Sequence, residues 1–176
     1  ELPEARRHRF QDSFAIPASD ALQLTEDRDL AAFFEDIVSR VEGKVAPKIV
    51  ANWLLTEYLR EQNQRQAHWN KPFLKAEHFA DLLRFLGDST ISGKIAKTVF
   101  EEMATSGQTA KAIIEAKGLV QIVDSSEIKT AVKAILDQYP DQVAQHLAGK
   151  PKVFGFLVGQ VLRASQGKFN PALVNQ

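Results

Sequence analysis

Cysteine is absent from the 176-residue sequence, which excludes disulfide bonds and metal sites with thiolate ligands. This absence fits the reducing cytoplasm, and we expect a cytoplasmic protein, or an organellar one if the parent is eukaryotic. The sequence begins with Glu1 and Met103 is its single methionine, so we interpret it as part of a longer chain. No stretch approaches the roughly 20 apolar residues that cross a bilayer, and we expect no membrane partner.

Acidic residues are missing after Asp141, although the formal net charge of the whole sequence is zero. Residues 1–106 carry 14 Lys and Arg against 17 Asp and Glu, a net −3, and residues 107–176 carry 8 against 5, a net +3. A basic end on a neutral protein suggests an anionic partner. The charges alone are also explained by a chance run of solvated side chains. The basic residues that follow Asp141 are Lys150, Lys152, Arg163 and Lys168.

The motifs of common catalysts are missing too. There is no glycine-rich phosphate loop, and none of the four histidines stands at a metal-ligand spacing to another histidine or to a carboxylate. The adjacent Glu101 and Glu102 would point about 100° apart on a helix and would not converge on one substrate. We therefore predict no catalytic, cofactor-binding or metal-binding residue in this chain.

Helical periodicity dominates what is present. Apolar residues recur at the i, i+3, i+4, i+7 spacing of buried helix faces, and no segment alternates with period two. We predict an all-α protein in which a helical bundle domain, residues 1–106, precedes a tail domain of three to four short helices, residues 107–176. The polar stretch from Gln62 to Pro72 is interpreted as a loop. The apolar stripes run over Leu30–Val41, Ile49–Tyr58, Phe79–Leu86, Ile95–Met103, Ile113–Ile114, Ile128–Leu136 and Phe154–Leu162.

A pair of small residues, Gly155 and Gly159, stands inside the last of these stripes. Glycines four apart on a helix let a second helix backbone approach closely. We therefore interpret the pair as a helix-packing contact rather than a ligand loop.

Several segments resemble the GatB family, one of the three kinds of chain that make up the tRNA-dependent amidotransferases. The resemblance covers nearly the whole chain, and the segments occur in the family's order. The segments that carry it are Glu1–Glu4 with Arg6, Arg7 and Arg9, Ala51–Leu55, Thr90–Met103, Gly118–Asp124, Gly149–Val161 and Gly167–Asn175.

This resemblance implies a part of a heterotrimer with subunits A and C. The family converts Glu-tRNA(Gln) or Asp-tRNA(Asn) to the amide form, using ATP, magnesium and the ammonia that the glutamine-hydrolysing partner releases. The catalytic cradle domain would precede this chain. The chain itself would be the helical domain and a tail domain of the kind found in stand-alone YqeY-type proteins, and it would contact tRNA(Gln), tRNA(Asn) or both without any cofactor of its own.

Candidate tRNA contacts follow from the basic end and the resemblance together. Lys and Arg bind phosphates through charge, and amide side chains can add polar contacts. Phe169 is interpreted as a stacking residue or, in preference, a core residue. The candidates are Lys150, Lys152, Gln160, Arg163, Lys168 and Asn170, together with Lys94 and Lys97 on an earlier helix.

Two alternatives stay open. The helices could form a purely structural or protein-interaction module, in which neutralising the basic residues would leave tRNA affinity unchanged. The chain could also be a stand-alone YqeY-like protein, although Glu1–Glu4 resembles the segment that leaves the cradle domain.

Overall fold

Helices make up most of the computed structural model, which describes residues 1–122 and 124–175. The predicted all-α class is confirmed. Val123, from the Gly118–Asp124 segment, lies outside the described residues. None of the helices described is both long and apolar enough to span a membrane. The helices are α1 Pro3–Phe14, α2 Ala18–Leu24, α3 Arg28–Arg40, α4 Pro47–Trp53, α5 Leu59–Gln64, α6 Ala76–Gly87, α7 Gly93–Ser106, α8 Ala110–Lys117, α9 Ser125–Gln138, α10 Pro140–Leu147, α11 Lys152–Ala164 and α12 Pro171–Val174.

Capping residues determine where several helices begin and end. The carboxylate of Asp27 and the hydroxyls of Ser92 and Thr109 accept hydrogen bonds from free backbone N–H groups in the first turns of α3, α7 and α8. Such N-caps satisfy donors that have no partner within the helix. Gly107 and Gly118 end α7 and α8 in the left-handed conformation, which glycine adopts without a steric penalty.

The first two helices were not anticipated from the sequence. Phe10 is the only fully buried side chain of α1, and α2 is a single pair of turns that buries Ala21 and Leu24. Neither helix has enough regularly spaced apolar residues for its buried face to be recognised from the sequence. Both are held by tertiary contacts, such as the packing of Phe10 against Phe34 with ring centroids 5.1 Å apart.

Helices α1 to α8 enclose one continuous apolar core, which we call the first core. Tyr58 lies at its centre and is fully buried. Its hydroxyl donates a hydrogen bond to the carbonyl oxygen of Leu74, and burial raises the pKa of that hydroxyl. Ring centroids 4.7 to 6.1 Å from that of Tyr58 belong to Phe33, Trp69, Phe73, Phe79 and Phe100.

A π-helical turn, Leu54–Tyr58, joins α4 to α5 so that Pro47–Gln64 is one continuous helix. The sequence predicted helix over Ile49–Tyr58 and a loop from Gln62, so the helix ends later than expected. The extra residue in a π turn changes which side chains face inward. Here the turn buries Leu54 and Tyr58 in the first core and also buries the carboxylate-bearing Glu57.

Helices α9 to α12 surround a second, smaller cluster, which we call the tail core. Its buried residues come from α9, α11, α12 and the segment before α12. Because few of them are fully buried, hydrophobic burial stabilises the tail less than the first core. The buried members are Ile128, Ile135, Val161, Phe169 and Val174.

The division at residues 106 and 107 stays a prediction. Gly107 forms the cap between α7 and α8, and α8 sends Ala110, Ile113 and Ile114 into the first core. Leu119, after α8, also packs against the first core. The apolar packing of α8 is therefore shared with α6 and α7.

Gly87 makes a close approach that the sequence did not indicate. A Cβ atom at this last position of α6 would lie 2.6 Å from the carbonyl oxygen of Lys44 and 2.7 Å from Cγ2 of Val45. Both distances are too short for the backbone to stay in place. The reason for glycine here is space, because its φ is not in the left-handed region.

Replacing Gly87 with alanine is expected to lower the free energy of unfolding of the first core by about 2 kcal/mol, since overpacking outweighs the better helix propensity. Tryptophan fluorescence during urea denaturation measures this, because Trp53 and Trp69 both belong to the first core. If the variant were as stable as the wild-type chain, the Lys44–Val45 loop would be able to move away without lowering the free energy of unfolding.

Candidate nucleic-acid interface

One side of α11 is exposed to solvent. At about 100° per residue, Lys152, Gly155, Phe156, Gly159 and Arg163 fall within an arc of about 100°, and all five are exposed. The opposite side buries the apolar stripe in the tail core. We call these five residues the α11 face.

The cations of the α11 face stand at its two ends. Lys152 begins α11 and Arg163 lies in its last turn, eleven residues or about 16 Å along the helix axis. Within residues 1–122 and 124–175, neither side chain forms an ion pair. Two unpaired cations this far apart can hold two different anionic groups but cannot share one.

The glycines lie between these cations. A Cβ atom at Gly155 or Gly159 would meet no atom within 4 Å. The expected packing of another helix against this pair is therefore wrong for the described part of the chain. The bare backbone instead forms a shallow strip where a ligand can come closer than any side chain would allow.

Phe156 is a functional candidate that sequence reasoning missed. Its ring is 42% exposed and makes an edge-to-face contact with Tyr139, with centroids 5.4 Å apart. An exposed aromatic ring between cations is a typical surface for stacking a nucleobase. The sequence did contain an indication, since Phe156 follows Lys152 by four residues and so lies on the same side of α11.

Phe169, the stacking candidate considered in the sequence, is 5% exposed and packs in the tail core. The stacking interpretation is therefore wrong and the core interpretation is confirmed. The reason is that the Phe169 backbone pairs with Ile122 in an isolated parallel bridge. Residue 169 is therefore held among the buried residues of α9, α11 and α12 rather than on the surface.

The other candidates near α11 differ in exposure. Lys150 is exposed in the turn before α11, and Gln160 is half-buried on α11. Lys168 is half-buried, and its carbonyl oxygen accepts a hydrogen bond from the N–H of Ile122 at 2.7 Å. The side-chain oxygen of Asn170 accepts one from the N–H of Ala172 at 2.9 Å, so Asn170 caps α12. Whether any of the four contacts RNA stays a prediction.

The two lysines of α7 have different surroundings. Nζ of Lys97 lies 2.6 Å from Oε1 of Glu57, a buried residue of the π turn. Lys94, one turn earlier, forms no ion pair with any described residue. Its Cδ atom lies 3.2 Å from the position that a Cβ of Gly167 would take. Lys94 thus reaches the tail, whereas Lys97 is paired with Glu57 of the first core.

Two hydrogen bonds to backbone carbonyl oxygens connect the first core to the tail at this place. The N–H of Gln121 donates to the carbonyl oxygen of Thr90 at 2.7 Å. The hydroxyl of Ser92 donates to the carbonyl oxygen of Gly167 at 3.1 Å. We call this contact the junction. Its three segments come from Thr90–Met103, Gly118–Asp124 and Gly167–Asn175, which carry the family resemblance in the sequence.

A cavity of about 390 Å³ opens beside the junction. It is lined on one side by Ser92 and Lys94 of the first core and on the other by Gly159 and Arg163 of α11. The α11 face and the start of α7 therefore form one continuous surface. Sequence spacing placed Lys94 and Arg163 on separate helices, and only the junction brings them to one cavity.

Comparison with known proteins shows that these segments all belong to one family domain. A family model described as the GatB domain matches residues 32–176 of the chain. The chain belongs to the GatB domain family. The GatB match includes α11, the junction and the cavity, and it confirms the resemblance drawn from the separate segments.

Curated relatives extend the likeness from the GatB domain to Glu1. The GatB subunit of the aspartyl/glutamyl-tRNA(Asn/Gln) amidotransferase of Geotalea daltonii is 45% identical over 176 residues, 100% of this chain and 36% of the relative. Proteins of the same name from Moorella thermoacetica and Thermotoga maritima are 44% and 41% identical over the same shares. This GatB chain thus spans 36% of the length of the relatives that it matches.

Proposed function

We propose that this GatB chain is the tRNA-binding region of the GatB subunit of a glutamine-dependent aspartyl/glutamyl-tRNA(Asn/Gln) amidotransferase. In the complete cytoplasmic complex, with subunits A and C, the enzyme converts Glu-tRNA(Gln) or Asp-tRNA(Asn) to Gln-tRNA(Gln) or Asn-tRNA(Asn). ATP, magnesium and ammonia from glutamine are used by parts of the complex outside this chain. The role of this chain is to hold the tRNA body while the reaction takes place elsewhere.

The α11 face is the observation that carries the proposal. A folded RNA presents a dense array of phosphates, and A-form stems are recognised mainly through shape and backbone contacts in a wide, shallow groove. A bare helix face with a cation at each end suits such a surface, since Lys152 and Arg163 can hold separate phosphates. The exposed glycines allow the RNA backbone to approach, and Phe156 offers a ring for an unstacked base.

The test is the affinity of the chain for fluorescently labelled tRNA(Gln) and tRNA(Asn), measured by anisotropy at two salt concentrations. Arg163→Gln and Lys152→Gln are each expected to weaken binding about fivefold, because each removes one phosphate contact worth about 1 kcal/mol. Each should also lower the slope of log affinity against log salt by about 1.

Lys48→Gln provides the matched control. Lys48 is an exposed lysine of α4, a helix of the first core, and its replacement changes the net charge by the same amount. We expect it to leave the affinity unchanged. Equal binding by all four proteins would contradict the proposal and favour the structural or protein-interaction alternative.

That alternative is favoured by an apolar groove on the far side of α11. It has a volume of about 340 Å³, and Leu147 and Phe154 line it while remaining 81% and 42% exposed. Exposed apolar side chains around a groove are typical of protein-binding surfaces. Leu147→Glu should therefore leave tRNA affinity unchanged under our proposal. The match of the relatives from Glu1 onward supports a GatB chain rather than a stand-alone YqeY-like protein.

A further inference from the structure

The junction cavity has the chemistry of an anion site. Its lining contains the cations Lys94 and Arg163, and no acidic side chain is found among the described residues that line it. Lys168 stands in the chain between two of the lining residues, Gly167 and Phe169. Positive side chains that converge on one cavity with no carboxylate beside them attract a group that carries negative charge.

Among the residues that the structure describes, Lys94 has no ion-pair partner that competes for its charge. Lys97 shows the contrast, because its ammonium group is paired with a carboxylate oxygen of Glu57 at 2.6 Å, a carboxylate that Arg60 also contacts. The two lysines lie three residues apart on α7, so the sequence assigns them the same chance of meeting RNA. The two lysines differ because the buried Glu57 pairs with Lys97 and not with Lys94. Lys94 is therefore the lysine of α7 that can accept a new anion.

The cavity depends on the contact between the two cores. Lys94 belongs to α7 of the first core, and Arg163 belongs to α11 of the tail. The hydrogen bonds from Gln121 to Thr90 and from Ser92 to Gly167 hold these elements together. If the junction opened, the two cations would no longer face one cavity.

We propose that the junction cavity binds one internucleotide phosphate of the RNA, held by Lys94 from the first core and Arg163 from the tail. This inference rests on the proposed function and adds a consequence to it. A phosphate that contacts both cores stabilises their docked arrangement, so RNA binding and closure of the junction are coupled. The α11 face then holds the adjoining stretch of backbone, with Lys152 on a different phosphate.

The first experiment is a double-mutant cycle on tRNA(Gln) affinity. Lys94→Gln and Arg163→Gln are each expected to weaken binding about fivefold. Because both side chains hold the same phosphate, the double variant should be only about tenfold weaker. Independent contacts multiply to about 25-fold, and this is the result expected for Lys94→Gln combined with Lys152→Gln.

Lys97→Gln is the comparison on the same helix. It makes the same charge change one turn further along α7 and is expected to leave the affinity as it was. A loss equal to that of Lys94→Gln would overturn the inference, since any charge on α7 would then act alike. Circular dichroism establishes that each variant is folded before its affinity is compared.

The second experiment measures closure directly by hydrogen–deuterium exchange with saturating tRNA(Gln). The backbone N–H of Gln121 donates across the junction to the carbonyl oxygen of Thr90, and the N–H of the next residue, Ile122, donates to the carbonyl oxygen of Lys168 within the tail. Bound tRNA should slow exchange in this segment of the wild-type chain, and Lys94→Gln should abolish most of that slowing. Unchanged protection in the variant would overturn the coupling.

The results separate the two proposals. If Lys94→Gln binds tRNA normally while Arg163→Gln and Lys152→Gln are weakened, the junction cavity is not a phosphate site and the proposed function stands. If none of the three variants is weakened, both proposals fail together.

Discussion

Replacing Tyr58 with alanine is expected to destabilise the first core by about 4 kcal/mol, within the range measured for deleting a buried aromatic ring. The ring is surrounded by five other aromatic side chains, so the cavity left behind cannot close by a small movement of one neighbour. The variant also loses the hydrogen bond to the carbonyl oxygen of Leu74, which lies inside the protein.

Tyr58→Phe is the control that separates these two contributions. It keeps the ring but removes the hydroxyl, so we expect a loss of about 1 kcal/mol from the lost hydrogen bond. Urea denaturation followed by fluorescence measures both variants, because Trp69 stacks on Tyr58 at 5.7 Å. A loss below about 1 kcal/mol in Tyr58→Ala would mean that the neighbouring rings refill the space.

Replacing Gly155 and Gly159 together with alanine is expected to change stability and binding in opposite directions. Alanine is favoured over glycine inside a helix by about 1 kcal/mol per site, and the added methyl groups meet no atom within 4 Å. The tail should therefore become more stable by about 2 kcal/mol. Affinity for tRNA should fall about tenfold or more, because the methyl groups hold the RNA backbone away from α11.

Two measurements on one protein check this. Amide hydrogen exchange within α11 reports the gain in stability, which tryptophan fluorescence would miss because both tryptophans lie in the first core. Fluorescence anisotropy with labelled tRNA(Gln) reports the affinity. The opposite signs also exclude misfolding as the cause of weaker binding, since a misfolded tail would lose stability as well.

Ala164→Gly is the matched control at the end of the same helix. Ala164 is exposed but points away from the α11 face, about 120° around the helix from Lys152. The change should lower the stability of α11 and leave tRNA affinity unchanged. If Gly155→Ala with Gly159→Ala bound tRNA at full strength, the glycines would not mark the RNA contact, and that part of the proposed function would be wrong.

Local chemistry in the sequence was sufficient to predict most of the helices. The stripes from Leu30 and from Ile95 are confirmed as α3 and α7, because a side chain at every third or fourth position must be buried on one face. The end of α8 at Gly118 follows from the left-handed conformation that glycine permits. The prediction failed where packing dominates, as in α1, whose buried contact is made by Phe10 alone.

The candidate site was predicted only in outline. The unbalanced charge after Asp141 indicated Lys152 and Arg163, since charge is a property of composition. The exposure of individual side chains was harder to predict from the sequence. Phe156 and Phe169 are the same residue type in one short region, yet only one of them is exposed. Phe156 is exposed since it lies opposite the buried stripe of α11, and Phe169 is buried since its backbone pairs with Ile122.

The sequence by itself determined the helical class, the basic end and the family, because each depends on residue types and their local order. Tertiary structure alone decided which basic residues line one cavity. Ser92 and Gly167 are 75 residues apart and meet through one hydrogen bond, which places Lys94 and Arg163 on one cavity. It also decided that Glu57 pairs with Lys97 rather than with Lys94. Such pairings depend on how the helices pack against each other, because packing decides which side chains of different helices come into contact. The spacing of residues within one helix does not predict this.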